Sequence, residues 1–176
     1  DYEQFWLRFN DGREIIKDIL NLTGEPGRHR KLVALLVEGA NAAIEEQMNA
    51  SMPHVRHQTL ANGAELFLLD VEIHAHKFTF PPPGKTSGEV HDRLCQKHAG
   101  SPVVTIGFGP DFAVLRSKGV MMNIPKMIRE LHEEIPGGGI SGGGHLVVGS
   151  IKFVEGMRDE VLQGLIGKIS RVQAGV

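Results

Sequence analysis

The sequence predicts an α/β fold: a mixed β-sheet of about five strands flanked by helices, with a helical segment in front of it. Three observations predict this. Runs with a two-residue apolar period interleave with runs of helical period, where an all-α or all-β chain would show one kind only. The run PVVTIG, residues 102–107, is nearly continuous in apolar character, as befits a strand covered on both faces. Composition agrees, since 41% hydrophobic and 23% charged residues over 176 positions describe a globular chain able to bury a core.

Taken in order, residues 2–22 read as helix in two parts. Phe5, Trp6 and Phe9 form a first face, and Ile15, Ile16, Ile19 and Leu20 a second. Asp11-Gly12 divides them, and the stretch TGEPG, residues 23–27, is a stop. A long helix over residues 28–49 follows, with Val33, Leu36, Val37, Ala40 and Ile44 at core spacing. The period then changes. Residues 55–60 predict a strand, Asn62-Gly63 a hairpin-type turn, and residues 65–80 a second strand region ended by three prolines. Ser87 is placed to cap a helix running to His98. Strands are expected over 102–107 and 112–117 around the turn Gly109-Pro110-Asp111, then a short helix capped by Asn123. After a glycine-dense loop come a strand over 147–154 and a helix over 157–172, whose Val161, Leu162, Leu165, Ile166 and Ile169 keep one face. Residues 1–27 are assigned to a linker or remnant of a preceding domain, and residues 28–176 to one domain. The start at Asp1 fits a piece of something longer.

The formal net charge of −2 gives no overall pull toward nucleic acid or membrane, so any such binding must be local. One cysteine, Cys95, allows no internal disulfide and no Cys cluster for zinc, and suits a reducing cytoplasmic compartment. No apolar run reaches the ~18 residues of a membrane span and no signal peptide is visible.

Several motifs are weighed and set aside. Gly84-Lys85-Thr86 ends like a phosphate-binding loop, but Thr79 stands where that motif needs glycine. Asp70, Glu72, His74 and His76 alternate and would share one strand face, a set able to hold a divalent metal. A half-exposed strand with Val71, Ile73 and Ala75 turned inward explains them as well, and is preferred. Ser141 and His145 lie four apart without a nucleophile elbow or an orienting acid.

The stretch GGGISGGGHLVVGS, residues 137–150, is different. A linker of this composition would not run straight into an apolar strand. Upstream, residues 112–129 carry Arg116, Lys118, Lys126 and Arg129 and no acid. Together they suggest an anion site: glycine amides approach phosphate oxygens, Arg116 grips with paired donors, and His145 adds one more. The bland alternative is that the glycines turn a tight corner and His145 caps it.

Ser141-Gly142-Gly143-Gly144-His145, with Gly149 beyond it and Arg116-Ser117 ending a strand about 25 residues upstream, resembles the GGGH-containing DHHA1 domain of the DHH phosphoesterase superfamily. The order of elements over residues 28–172 fits as well. Phe78-Thr79-Phe80-Pro81, Gly109-Pro110-Asp111-Phe112 and the glycines of 137–144 look most like the archaeal RecJ-like single-strand-specific exonucleases. The chain departs from many relatives at Val147-Val148, where they carry small residues.

The resemblance implies a division of labour. A separate N-terminal DHH domain binds two catalytic metals, usually manganese, while the DHHA1 domain holds the substrate. It implies substrate-binding roles for Arg116, Ser117, Ser141, Gly142, Gly143, Gly144 and His145, and no catalytic residue or metal ligand here. The sequence contains no Asp-His-His; the nearest lookalike is Val90-His91-Asp92. The isolated chain is therefore expected to bind without cutting, with no cofactor of its own. The parent would be a manganese-dependent phosphodiesterase or exonuclease of DNA repair or replication. Expected partners are single-stranded nucleic acid or short oligonucleotides, the DHH domain in cis, and replication proteins. Two alternatives stay open: a non-catalytic interaction module of a replication or repair complex, and a stand-alone metal enzyme using residues 70–76.

Overall fold

The computed structural model describes residue 13, residues 30–76 and residues 79–175. The helices expected over residues 2–22 lie outside the described residues, Arg13 excepted. The chain divides into two compact units, residues 1–43 and 44–176. Helix α1 (Arg30–Ser51) runs through the division. Within the first unit, Val33, Leu36 and Val37, expected to be core, are exposed. Helical periodicity identifies a face and not what covers it.

The second unit is built on a six-stranded sheet, one strand more than the sequence predicts, in the order β1-β2-β3-β4-β6-β5. Its strands are β1 (Arg56–Thr59), β2 (Glu65–Asp70), β3 (Val103–Phe108), β4 (Phe112–Lys118), β5 (Ser141–Gly144) and β6 (Val148–Lys152). β2 and β3 are parallel, and every other neighbouring pair is antiparallel. A parallel pair needs a crossover, supplied here by helix α2 (Val71–His74) and helix α3 (Pro83–Lys97).

Helices cover both faces. On one, Leu66, Ile106, Leu115 and Ile151 of the sheet pack with Ile124 and Leu131 of helix α4 (Ile124–Glu134) and Val161, Leu165 and Ile169 of helix α5 (Arg158–Ile169). On the other, Phe67, Leu69 and Val103 meet Val90 and Leu94 of α3 and Met48 of α1. β3, between the two, is buried at all six positions, which is why its sequence does not alternate.

Two local expectations hold closely. Asn62 turns the chain between β1 and β2, its side chain accepting from the Ala64 amide and donating to the carbonyls of Ile169 and Val172. Asn123 caps α4, accepting from the Lys126 amide at 3.3 Å.

Three others are corrected. The strand expected over 65–80 stops at Asp70, whose carboxylate accepts from the Ile73 amide at 3.1 Å and starts α2. Fully buried Gln47 then fixes the following backbone, accepting from His76 N at 2.6 Å and donating to the His74 carbonyl at 3.1 Å. With no strand there, Asp70, Glu72, His74 and His76 do not share a strand face. Second, α3 begins at Pro83, not at Ser87, because proline at the first helical position is pre-set for helix entry. Ser87 is buried inside that helix. Third, the glycine-dense stretch is not all loop: residues 141–144 form edge strand β5.

Candidate functional site

The face of the sheet that carries α3 is covered over β2 and β3 but open over β5 and β6. Register shows what lies on the open part. Arg116 of β4 pairs with Thr105 on one side and Val148 on the other. Alternation then puts Val148, Ser150 and Lys152 of β6 on the Arg116 face, with Ser141 and Gly143 of β5 opposite Lys152 and Ser150. Lys118 follows Arg116 on that face, two residues on. Ser141, Gly143, Ser150, Lys152 and Lys118 are all exposed, and β4, β5 and β6 carry no acidic residue.

Why these positions are glycine differs from one to the next. Gly142 and Gly144 have φ of 139° and 156°, and a Cβ at either would lie 2.2 or 2.4 Å from a β6 carbonyl oxygen. They are glycine because β5 could not otherwise lie against β6. Gly143 has no such constraint, and a Cβ there would meet nothing within 4 Å. It is the bare position of the open face.

Arg116 is half-buried, with its Nε fully enclosed and without a hydrogen-bond partner. Among the described residues its guanidinium has neither a carboxylate nor any other acceptor. It runs beneath α3 at Gly88, where a Cβ would sit 3.5 Å from Nη2. Beside it, His91 of α3 faces the Thr105 hydroxyl at 3.0 Å and the Cys95 sulfur at 3.4 Å. Burial pushes the His91 imidazole below its ordinary value; Asp92 opposes this, while Arg116 and Lys118 add to it. A neutral imidazole next to Arg116 adds no further positive charge beside it. Burial likewise raises the Cys95 thiol above its ordinary value.

His145 stands at the tip of the β5–β6 hairpin. Its amide donates to Val148 O at 2.7 Å and its carbonyl accepts from the Ile124 amide at the start of α4. Since Val148 is also the partner of Arg116, the hairpin ties the backbones of His145 and Arg116 to one end of the strip. The imidazole itself is exposed and has no partner among the described residues.

The structure thus gathers Arg116, Ser141, Gly143 and His145 around one open face. Gly142 and Gly144 support it from the opposite side of the pleat. Ser117 is not among them: it lies on the other face, buried, with its hydroxyl donating to Val120 O at 2.5 Å. Sequence reasoning overlooked Lys152 and Ser150, which two-residue alternation along β6 would have picked out once paired with β4. It also overlooked Gly88, a glycine inside a helix with no turn to explain it.

Among the described residues no three of His, Cys, Asp or Glu are grouped to hold a metal. No helix among them is long and apolar enough to cross a membrane.

Fold and face together define a mixed α/β domain with a basic, glycine-floored strip on an open sheet edge. No family model matches the chain. It is 44% identical over 180 residues to the uncharacterised protein MJ1198 of Methanocaldococcus jannaschii, covering 98% of this chain and 24% of that protein. Among solved structures, the DHH domain of PF0399, described as a member of a family of ribosomal proteins, superposes with a TM-score of 0.85 at 40% identity, covering 99% of this chain and 41% of that one. RecJ of Thermus thermophilus, in complexes with Mg2+ and Mn2+, shares the fold at TM-scores of 0.51 and 0.53, with 18% and 15% identity. Those matches cover 85% and 88% of this chain and 21% of RecJ. The fold is that of a DHHA1-like domain of the DHH superfamily. The chain spans about a quarter of the curated relative, at 24%, and 41% of the solved PF0399 chain.

Proposed function

We propose that this domain holds the phosphate backbone of single-stranded nucleic acid or a short oligonucleotide for a metal-bearing DHH domain in the same longer protein. One observation carries the reading: a half-buried guanidinium, Arg116, with no acceptor, at the end of an acid-free strip. An enclosed cation without a counter-charge is costly, and a phosphate at that position would relieve the cost with paired hydrogen bonds. Gly143 lets the strand approach the sheet closely, while His145, Lys118 and Lys152 extend the contact along it. Contacts of this kind position phosphates and carry no base information, so the domain holds strands of any sequence. The described residues offer no clustered donor set for manganese. In this reading hydrolysis by the parent belongs to the DHH domain, and the work of this chain is binding and orientation.

The test is fluorescence anisotropy with a 5′-labelled single-stranded 12-mer at low salt with manganese, for the wild type and for Arg116→Ala with His145→Ala. Binding without cleavage, weakened at least tenfold in the double variant, is the expected result. Equal binding by both, or none by either, would remove the strip as the binding surface, and cleavage by the wild type would show that the chain carries its own catalytic centre.

A further inference from the structure

A cavity of about 390 Å³ opens where the parallel strands β2 and β3 end, at Asp70 and Phe108. It lies on the α5 face of the sheet, opposite the face that carries Arg116, and the proposed function does not use it. Ligands of open α/β sheets collect at the C-terminal ends of parallel strands.

The cavity has two chemical characters. The first is charged, with Arg56, Arg158, Asp70 and Asp159 all on its lining. The Cζ atoms of Arg56 and Arg158 stand 5.7 and 5.8 Å from the centroid of the buried Phe108 ring. Arg158 is neutralised by Asp70 at 3.6 Å and Asp159 at 3.2 Å. Arg56 has no carboxylate partner among the described residues, so its guanidinium is held over the ring with its donors available. The second is flat and apolar. His54 and His74 stack with centroids 3.9 Å apart and an interplanar angle of 6°, and Ile73 is left 69% exposed on the same lining.

Neither a purely apolar molecule nor a bare inorganic anion uses both. The first leaves Arg56 unmatched; the second occupies a small part of a volume suited to small organic ligands. We infer that this cavity binds a nucleoside monophosphate, with the phosphate on Arg56 and the base against the imidazole stack and Ile73. Stacking accepts any base, so affinity depends on the phosphate together with a base and little on which base it is.

The test follows the ring C–H resonances of His54 and His74 by NMR at low salt, with AMP, adenosine and inorganic phosphate as separate probes. The proteins are the wild type, Arg56→Ala and Arg116→Ala; Arg56 is exposed on an edge strand, and an unchanged melting temperature checks that its variant folds. AMP is expected to shift both rings equally in the wild type and in Arg116→Ala. Binding at least tenfold weaker in Arg56→Ala, and at least tenfold weaker for adenosine and for phosphate, completes the expected pattern. Phosphate alone binding as tightly as AMP overturns the assignment. So does AMP that leaves both rings unmoved, or binding lost in Arg116→Ala. Silence at His54 and His74 leaves oligonucleotide binding on the Arg116 face standing, so the two proposals fail separately.

Discussion

Three consecutive glycines in one short strand make different demands. Gly142 is held at a φ that side chains resist and lies against the Ser150 carbonyl. Gly142→Ala is expected to cost about 1–3 kcal/mol, read as a lowered urea midpoint. Gly143 faces open space, so Gly143→Ala leaves that midpoint unchanged while weakening oligonucleotide binding, since its methyl group would stand where the strand approaches. Equal loss of stability in both variants would show that neither position is reserved for a ligand. At this scale the sequence was legible in kind: Arg116, His145 and the glycines were identifiable as a group. Alternation alone puts Arg116 and Ser117 on opposite faces; which of the two faces is open was not legible, because only the register with β3 and β6 decides it.

Elements were legible where local chemistry decides them. Asn123 at a helix start and Asn62-Gly63 at a turn are local signals, and both hold. The run DVEIHAH, residues 70–76, was misread because its alternation suits a strand equally well; a buried glutamine from a distant helix determines where that backbone goes. Asn62 itself does more than turn the chain. By donating to Ile169 and Val172 it satisfies carbonyls at the C-terminal end of α5, joining a hairpin to a helix more than a hundred residues away. Asn62→Ala is expected to lower stability by about 1–2 kcal/mol by denaturant titration, with oligonucleotide affinity unchanged when measured well below the melting temperature. A loss of affinity without a loss of stability would place Asn62 in the binding surface instead.

For the molecule as a whole, a net charge of −2 conceals an acid-free strip with Arg116, Lys118 and Lys152 on one face. Composition averages over the surface, whereas a ligand meets one side of it. Three such contacts to a single strand correspond to a slope of about −2 in log Kobs against log salt, falling by roughly 0.7 in magnitude for each lysine replaced by alanine. A slope near zero between about 50 and 200 mM salt, measured by anisotropy over the range where counterion release dominates, would count against phosphate contacts altogether.

β5 contributes no side chain to either core; all four of its residues are exposed. Backbone pairing with β6 and the approach of α4 hold it without a buried side chain, so its amides are expected toward the low end of the domain's protection against hydrogen exchange, and those of β3 at the high end. The margin of the sheet offered to a ligand is thus also one that opens at low cost. A strand of nucleic acid lying there would act as a clasp, closing what side-chain packing leaves loose.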